Sequence, residues 1–143
     1  MSDSFCVKFE LEKGNFDRAG EASSKIKKML QQIGVANDVV RRVAIGTYEG
    51  EMNIIIHSNG GYVQAEFNSE YTEIIMRDRG PGIPNLEMAL QEGYSTAPPH
   101  VREMGFGAGM GLPNMKRCAD DFDITSIVDD GTSIVMRFKH KSV

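Results

Sequence analysis

The chain has 143 residues, of which 41% are hydrophobic and 25% are charged, and its formal net charge is −4. This length and composition predict one globular domain over residues 1–143, and the negative charge gives no support for nucleic acid or an anionic membrane as a partner. No apolar run approaches the roughly 20 residues that a membrane-spanning helix needs, and the polar start of the chain predicts a cytoplasmic protein.

The first part of the chain predicts one strand and two helices. Residues 5–12 carry apolar side chains at every second position, which indicates a half-buried strand. Residues 16–33 predict an amphipathic helix with Asn15 as its N-cap and Gly34 as its stop. A second helix is predicted over about 37–57.

The middle of the chain predicts a hairpin, a short helix and a long loop. Residues 61–68 and 71–78 indicate two strands joined by a short turn. Residues 85–93 predict a short helix, and residues 93–106 contain two prolines and show no period. This loop is longer than the usual length of about four to six residues, and long loops in compact domains are often lids, so we expect 93–106 to act as one.

The last part of the chain predicts a helix and a second hairpin. The helix spans about 112–121, and strands at 122–128 and 132–138 flank a turn at 129–131. Consecutive hairpins favour a mainly antiparallel sheet, and the helices must then cover one face of it. The expected fold is therefore an α/β two-layer sandwich.

A polar stripe on the second helix is the first candidate site. Glu49, Asn53 and His57 are spaced four residues apart, so their side chains share one face of a helix. The opposite face carries Val40, Val43, Thr47 and Ile54. The stripe could hold a hydrated Mg²⁺ and activate a nucleophile, although a solvated polar face has the same pattern. Glu51 falls among the apolar positions and shares the claim to any role of Glu49.

The stretch RDRGPGIP at 77–84 is the second candidate. Asp78 ends a predicted strand, and Gly80 and Gly82 then allow a ligand to approach the backbone closely. A carboxylate there can accept a hydrogen bond from an exocyclic amine, which adenine carries and which guanine replaces with a carbonyl. Aspartate, glycine and proline also form ordinary turns, so the pattern alone leaves both interpretations open.

The third candidate is the glycine-rich stretch GFGAGMGLPNMKR at 105–117. Gly107, Gly109 and Gly111 place backbone amides at the start of a predicted helix, where the helix dipole favours phosphate. Lys116 lies one turn into that helix and can add a point charge. A flexible loop is the alternative. A dinucleotide fingerprint and a P-loop are both excluded, because no strand precedes the glycines and no Gly-Lys-Ser/Thr follows them.

Thr132 follows an Asp-Gly turn and could bond a base or a bound water, which makes a fourth candidate. The order of the four clusters resembles the GHKL (Bergerat) ATP-binding fold of histidine kinases, gyrase and Hsp90-type ATPases, over about residues 38–138. Within that superfamily, DRGPGIPNLEMALQEGYST and GFGAGMGLPNMKR look most like the anti-sigma-factor serine/threonine kinases, and among these like the switch-kinase branch.

The resemblance implies a role for each matching residue. Glu49 matches the general base that deprotonates the acceptor hydroxyl, and Asn53 matches the Mg²⁺ ligand, with His57 at the adjacent helix position. Asp78 matches the carboxylate that reads adenine, and Thr132 matches the threonine near it. The other implied ATP-contacting positions are Gly80, Gly82, Ile83, Gly105, Gly107, Ala108, Gly109, Met110, Gly111, Leu112 and Lys116.

The resemblance also implies a function. It is an ATP- and Mg²⁺-dependent serine/threonine kinase that phosphorylates a STAS-domain antagonist of an anti-sigma factor. Sigma-binding relatives often carry an arginine where this chain has Gly107-Ala108, and Arg102 lies further back in the lid. One alternative is a non-catalytic ATP-binding anti-sigma factor or switch that captures a sigma factor or a STAS partner. Another is a piece of a larger histidine kinase or gyrase-like ATPase. Family analogy also implies a homodimer.

Overall fold

Five antiparallel strands form one sheet in a computed structural model that describes residues 4–80 and 111–140. The strands are β1 (Phe5–Leu11), β2 (Gly61–Phe67), β3 (Tyr71–Asp78), β4 (Asp121–Ile127) and β5 (Gly131–Lys139), in the spatial order β1-β2-β3-β5-β4. The helices are α1 (Glu21–Gln32), α2 (Asn37–His57) and α3 (Gly111–Cys118), and a 3-10 turn covers Phe16–Arg18. The predicted helix at 85–93 and the predicted lid lie outside the described residues.

One face of the sheet is apolar and packs against the helices. Val63, Met76 and Ile134 lie side by side across β2, β3 and β5, and each is at most 6% exposed. Their chain neighbours are directed to the other face, because successive side chains of a strand alternate. The predicted two-layer sandwich, with an antiparallel sheet and helices on one face, is confirmed.

Two glycines let α2 lie close to the sheet. A Cβ atom on Gly50 would lie 1.9 Å from the sulfur of Met76, and one on Gly46 would lie 3.3 Å from the sulfur of Met136. A side chain at Gly50 therefore requires Met76 to move, and α2 contacts β3 through bare backbone. This contact sets the distance between the sheet and the two glutamates that flank Gly50.

The start of α1 differs from the prediction. A continuous helix over 16–33 with Asn15 as its cap is wrong, because Phe16–Arg18 form a 3-10 turn and α1 begins only at Glu21. Gly20 has a φ of +88°, and this left-handed backbone separates the turn from the helix. Asn15 makes no side-chain capping hydrogen bond.

Glu51 caps α1 from a distance. Its side chain is fully buried, and its Oε2 accepts a hydrogen bond from the N–H of Ala22 at 3.1 Å. Its Oε1 accepts one from the N–H of Ser23 at 3.2 Å. The first turn of a helix leaves such amides without intrahelical partners, so the carboxylate replaces a local N-cap. Glu51 is thus a structural residue, because both of its oxygens serve α1.

The other boundaries lie close to the predicted ones. α2 covers 37–57 as predicted, and Gly34 follows the end of α1 with a φ of +84°. α3 ends at Cys118, earlier than predicted, because the N–H of Asp120 already donates to the carbonyl of Arg137 at 2.9 Å. Among the described residues, no helix is long and apolar enough to cross a membrane.

Candidate functional site

Asp78 lies at the end of β3 and is held in place by its neighbours. The β3–β5 register pairs Arg77 with Ser133, so Asp78 comes opposite Thr132. Oδ1 of Asp78 accepts hydrogen bonds from the N–H of Thr132 at 2.9 Å and of Gly80 at 3.0 Å. Oδ2 has no hydrogen-bond partner within residues 4–80 and 111–140. Three of the predicted site residues, Asp78, Gly80 and Thr132, therefore meet at one place, which we call the Asp78 corner.

Gly131, which is not among the predicted site residues, allows this close contact. Its φ is +140°, and a Cβ atom there would lie 2.4 Å from the carbonyl oxygen of Asp78 and 2.8 Å from Oδ1. In the sequence, the Asp-Gly pair before Thr132 is the feature that could have pointed to Gly131. An ordinary hairpin turn explains that pair equally well. Oγ of Ser126 lies 2.9 Å from Oγ1 of Thr132 and joins β4 to the same corner.

The polar stripe of α2 is partly exposed. Glu49, Asn53 and His57 all have intermediate exposure. The residues predicted for the opposite face are at most 4% exposed, namely Val40, Val43, Thr47 and Ile54. Burial lowers the pKa of His57, which favours its neutral imidazole. The stripe therefore forms the boundary between the core and the solvent.

Main-chain hydrogen bonds join the end of α2 to the Asp78 corner. The N–H of Asn59 donates to the carbonyl of Gly80 at 2.8 Å, and the N–H of Arg79 donates to the carbonyl of Gly60 at 2.9 Å. These residues directly follow α2 and β3. The carboxyl end of the polar stripe thus lies beside the predicted adenine site.

Glu49 lies at the contact between α2 and α3. The side-chain amide of Asn114, the fourth residue of α3, lies near its carboxylate. Burial raises the pKa of Glu49, and the nearby amide of Asn114 opposes that rise. A raised pKa brings a carboxylate closer to neutral pH, where a general base is most effective.

α3 runs antiparallel to α2. Asn114 near its start contacts Glu49, and at its end the carbonyl of Cys118 accepts a hydrogen bond from Arg42 at 3.0 Å. α3 begins at Gly111, the last glycine of the predicted phosphate site. Lys116 is exposed on this helix, whereas the side chain of Leu112 packs in the core. A ligand at Leu112 could therefore contact only its backbone.

Part of the predicted site lies outside the described residues, namely Gly82, Ile83, Gly105, Gly107, Ala108, Gly109 and Met110. Their ATP contacts stay predictions. The site residues that the structure describes lie on α2, on the first part of α3 and at the Asp78 corner. α3 and the Asp78 corner both contact α2. A separate cleft of about 280 Å³ opens beside α1, lined in part by Lys8, Arg18 and Glu51, and none of the predicted site residues lines it.

The sequence profile of the histidine kinase-like ATPase domain matches residues 14–138. The chain belongs to this family. The chain is 28% identical over 138 residues to the serine/threonine-protein kinase RsbT of Bacillus subtilis, covering 94% of the chain and 95% of the relative. It is 31% identical over 123 residues to an anti-sigma F factor of Bacillus licheniformis, covering 82% of the chain and 80% of the relative.

Solved structures share the fold of this chain. The RsbU and RsbW domains of a Mycobacterium tuberculosis protein align with a TM-score of 0.63 at 13% identity, over 94% of this chain and 32% of that one. The mycobacterial sensor histidine kinase MprB aligns with a TM-score of 0.55 at 14% identity, over 97% of this chain and 100% of that one. The predicted family and fold are confirmed.

Proposed function

We propose that this chain is an ATP-dependent serine/threonine protein kinase of a bacterial partner-switching system. Its substrate in this proposal is a cytoplasmic STAS-domain antagonist of an anti-sigma factor, and the family analogy adds a homodimer. The observation that carries the proposal is the position of Glu49, a half-buried carboxylate at the junction of α2 and α3, one helical turn from Asn53. The kinase and anti-sigma factors among the relatives support it.

The Asp78 corner fits the adenine of ATP. Thr132 and Gly80 occupy one carboxylate oxygen, which leaves the other oxygen to accept a hydrogen bond from the exocyclic amine. Guanine would instead present a carbonyl to that oxygen. The amide oxygen of Asn53 would hold Mg²⁺, an ion that neutralises charge on the phosphates when bound. The backbone N–H groups at the start of α3, those of Gly111 and Leu112, suit phosphate oxygens.

Glu49 acts as the general base in this proposal. It accepts the proton of the serine or threonine hydroxyl while the hydroxyl oxygen forms a bond to the γ-phosphorus. The bond between the γ-phosphorus and the β–γ bridging oxygen breaks, and ADP leaves with that electron pair. The protein contributes mainly the position of the base and the charge around the phosphates.

A non-catalytic anti-sigma factor or binding switch is the second candidate. The anti-sigma F factors of Bacillus licheniformis and Clostridium beijerinckii, which are 31% and 29% identical to this chain, favour it. ATP would then stabilise a surface that captures a sigma factor or a STAS-domain protein without phosphoryl transfer.

Incubation with γ-labelled ATP, Mg²⁺ and purified STAS-domain proteins encoded in the same genome separates the two functions. Label on a serine or threonine of one STAS-domain protein supports the kinase. A nucleotide-dependent complex without label overturns the kinase and supports the switch. Calorimetry with ATP and GTP, each with and without Mg²⁺, tests the nucleotide site separately, and equal affinity for GTP would remove Asp78 from base recognition.

A further inference from the structure

Three polar side chains lie in a row across the sheet at the Asp78 corner. The β4–β5 register pairs Ser126 with Thr132, and the β3–β5 register places Asp78 opposite Thr132 on its other side. Residues that lie directly opposite in antiparallel strands direct their side chains to the same face of the sheet. Thr132 is 6% exposed and shares its face with Ile134, which packs in the core. The row therefore lies on the face of the sheet that carries the helices.

The hydrogen bonds in this row have a direction. A hydroxyl carries one proton and two lone pairs. Oγ1 of Thr132 lies 2.9 Å from Oγ of Ser126, which is the one hydrogen-bond partner of the Thr132 hydroxyl in the part of the chain that the structure describes. Because a buried hydroxyl proton needs an acceptor, Thr132 donates to Ser126. The hydroxyl of Ser126 then donates to the carbonyl oxygen of Gly131, which can only accept, at 3.5 Å.

This direction leaves lone pairs, and no side-chain proton, on the row at the Asp78 corner. Oγ1 of Thr132 has given its proton to Ser126, and Oδ2 of Asp78 is a carboxylate oxygen. An amino group brings two hydrogens to such a place, whereas a carbonyl brings only further lone pairs. We propose that Ser126 is a positioning residue for purine selectivity, which takes the Thr132 proton and so keeps the Thr132 hydroxyl an acceptor.

The proposal rests on the proposed ATP site and names a residue that sets the choice of base there. A cross-strand pair of hydroxyls can also simply join β4 to β5, whether or not a ligand binds. Loss of such a structural pair would weaken the binding of all nucleotides alike. Loss of a residue that holds Thr132 as an acceptor would instead change the preference between bases, so selectivity is the readout that separates the two roles.

The first test is calorimetry of the full chain with Mg²⁺ and three nucleotides. Inosine triphosphate carries a carbonyl where ATP carries its exocyclic amine, and purine riboside triphosphate carries only a hydrogen there. In Ser126→Ala the Thr132 proton can turn to the ligand and donate to that carbonyl. We therefore expect the preference for ATP over inosine triphosphate to fall by about threefold to tenfold, the effect of one hydrogen bond. The preference for ATP over purine riboside triphosphate should stay within about twofold.

Two further variants are the controls for this measurement. Ser126→Thr keeps a hydroxyl at the same place in β4 and should restore the preference for ATP over inosine triphosphate. Ser133→Ala is the matched serine change, because Ser133 lies next to Thr132 in β5 and alternation directs its side chain to the other face of the sheet. It should leave the preference unchanged.

The second test needs no nucleotide. The urea midpoints of unfolding are compared for Ser126→Ala, Thr132→Val and the double variant. Because each single change already breaks the hydrogen bond between the two hydroxyls, the double variant should lose less than the sum of the single losses. Additive losses overturn the hydrogen bond and the proposal with it.

The outcomes of the first test separate this inference from the proposed function. An unsubstituted chain that prefers ATP, with the same preference over inosine triphosphate in folded Ser126→Ala, overturns the inference alone. An equal loss of affinity for all three nucleotides in that variant does the same. An unsubstituted chain that binds none of the three nucleotides overturns the ATP site and this inference together, even where the unfolding midpoints show that the two hydroxyls meet.

Discussion

Glu49 and Glu51 lie two residues apart on α2, but the surroundings of their carboxylates differ. Glu51 is fully buried on the side of α1, and both of its oxygens accept backbone hydrogen bonds. Glu49 lies half-buried on the side of α3, near the side-chain amide of Asn114. Burial raises the pKa of both carboxylates. What distinguishes a capping residue from a candidate base is therefore the number of its lone pairs that the protein already uses.

From this comparison we expect substitution of each glutamate to affect a different property of the protein. A residue that supports α1 should affect stability far more than chemistry. A residue with open acceptor positions at the site should do the reverse. The predictions below test this separation, beginning with the largest expected effect.

Glu49→Gln should lower phosphoryl transfer to the STAS-domain substrate by about 10²- to 10⁴-fold, because the amide cannot accept the hydroxyl proton. ATP affinity and the midpoint of thermal unfolding should stay close to those of the unsubstituted chain. Single-turnover transfer, calorimetry and circular dichroism measure the three quantities. Glu70→Gln, at an exposed turn position, is the matched control. Transfer at the unsubstituted rate would remove Glu49 from the role of base.

Glu51→Gln should lower the free energy of unfolding by about 2–4 kcal/mol, because the amide nitrogen cannot accept the hydrogen bond that one carboxylate oxygen accepts. A buried N–H of Ala22 or Ser23 then loses its partner. Urea unfolding followed by circular dichroism measures the change. Transfer per folded molecule should stay near that of the unsubstituted chain, and a large loss of transfer at full stability would contradict the structural role.

Gly50→Ala should destabilise the fold by about 1–3 kcal/mol, because its Cβ would lie 1.9 Å from the sulfur of Met76. The added methyl group would displace the part of α2 that carries Glu49 and Glu51. Met76→Val in the same background makes room at this contact, so the double variant should be more stable than the two single effects add up to. Additive effects would mean that α2 and β3 do not meet at Gly50 as closely as described.

The smallest effect is a pH dependence from Glu51. Its folded pKa is raised, mainly by burial, above the ordinary value of 4.5, so the folded chain binds this proton more tightly than the unfolded chain. The stability contributed by this group is complete below 4.5 and is lost as pH rises through the raised pKa. The advantage of the unsubstituted chain over Glu51→Gln should therefore shrink from acid to neutral pH. Urea unfolding of both proteins at matched pH values checks this, since a constant difference would contradict it.

Local patterns predict those parts of the molecule whose causes are local. α2 and the strands follow from the period of their apolar residues, because one face of each packs against the core. The start of α1 does not follow from its own residues, because its cap comes from Glu51 on another helix. The Asn114–Glu49 contact is absent from the predictions for the same reason, since nothing near Asn114 in the sequence points to α2.

If the Asp78 corner binds adenine as proposed, its selectivity would be built in before any ligand arrives. One oxygen is bound by two backbone N–H groups, so rotation of the carboxylate away from its place would break both hydrogen bonds. A freely rotating acid would turn away from a guanine carbonyl or recruit a water to bridge the repulsion. If adenine binds at this corner as proposed, the mismatch with guanine would be felt in full, and discrimination between purines would come from stiffness as much as from charge.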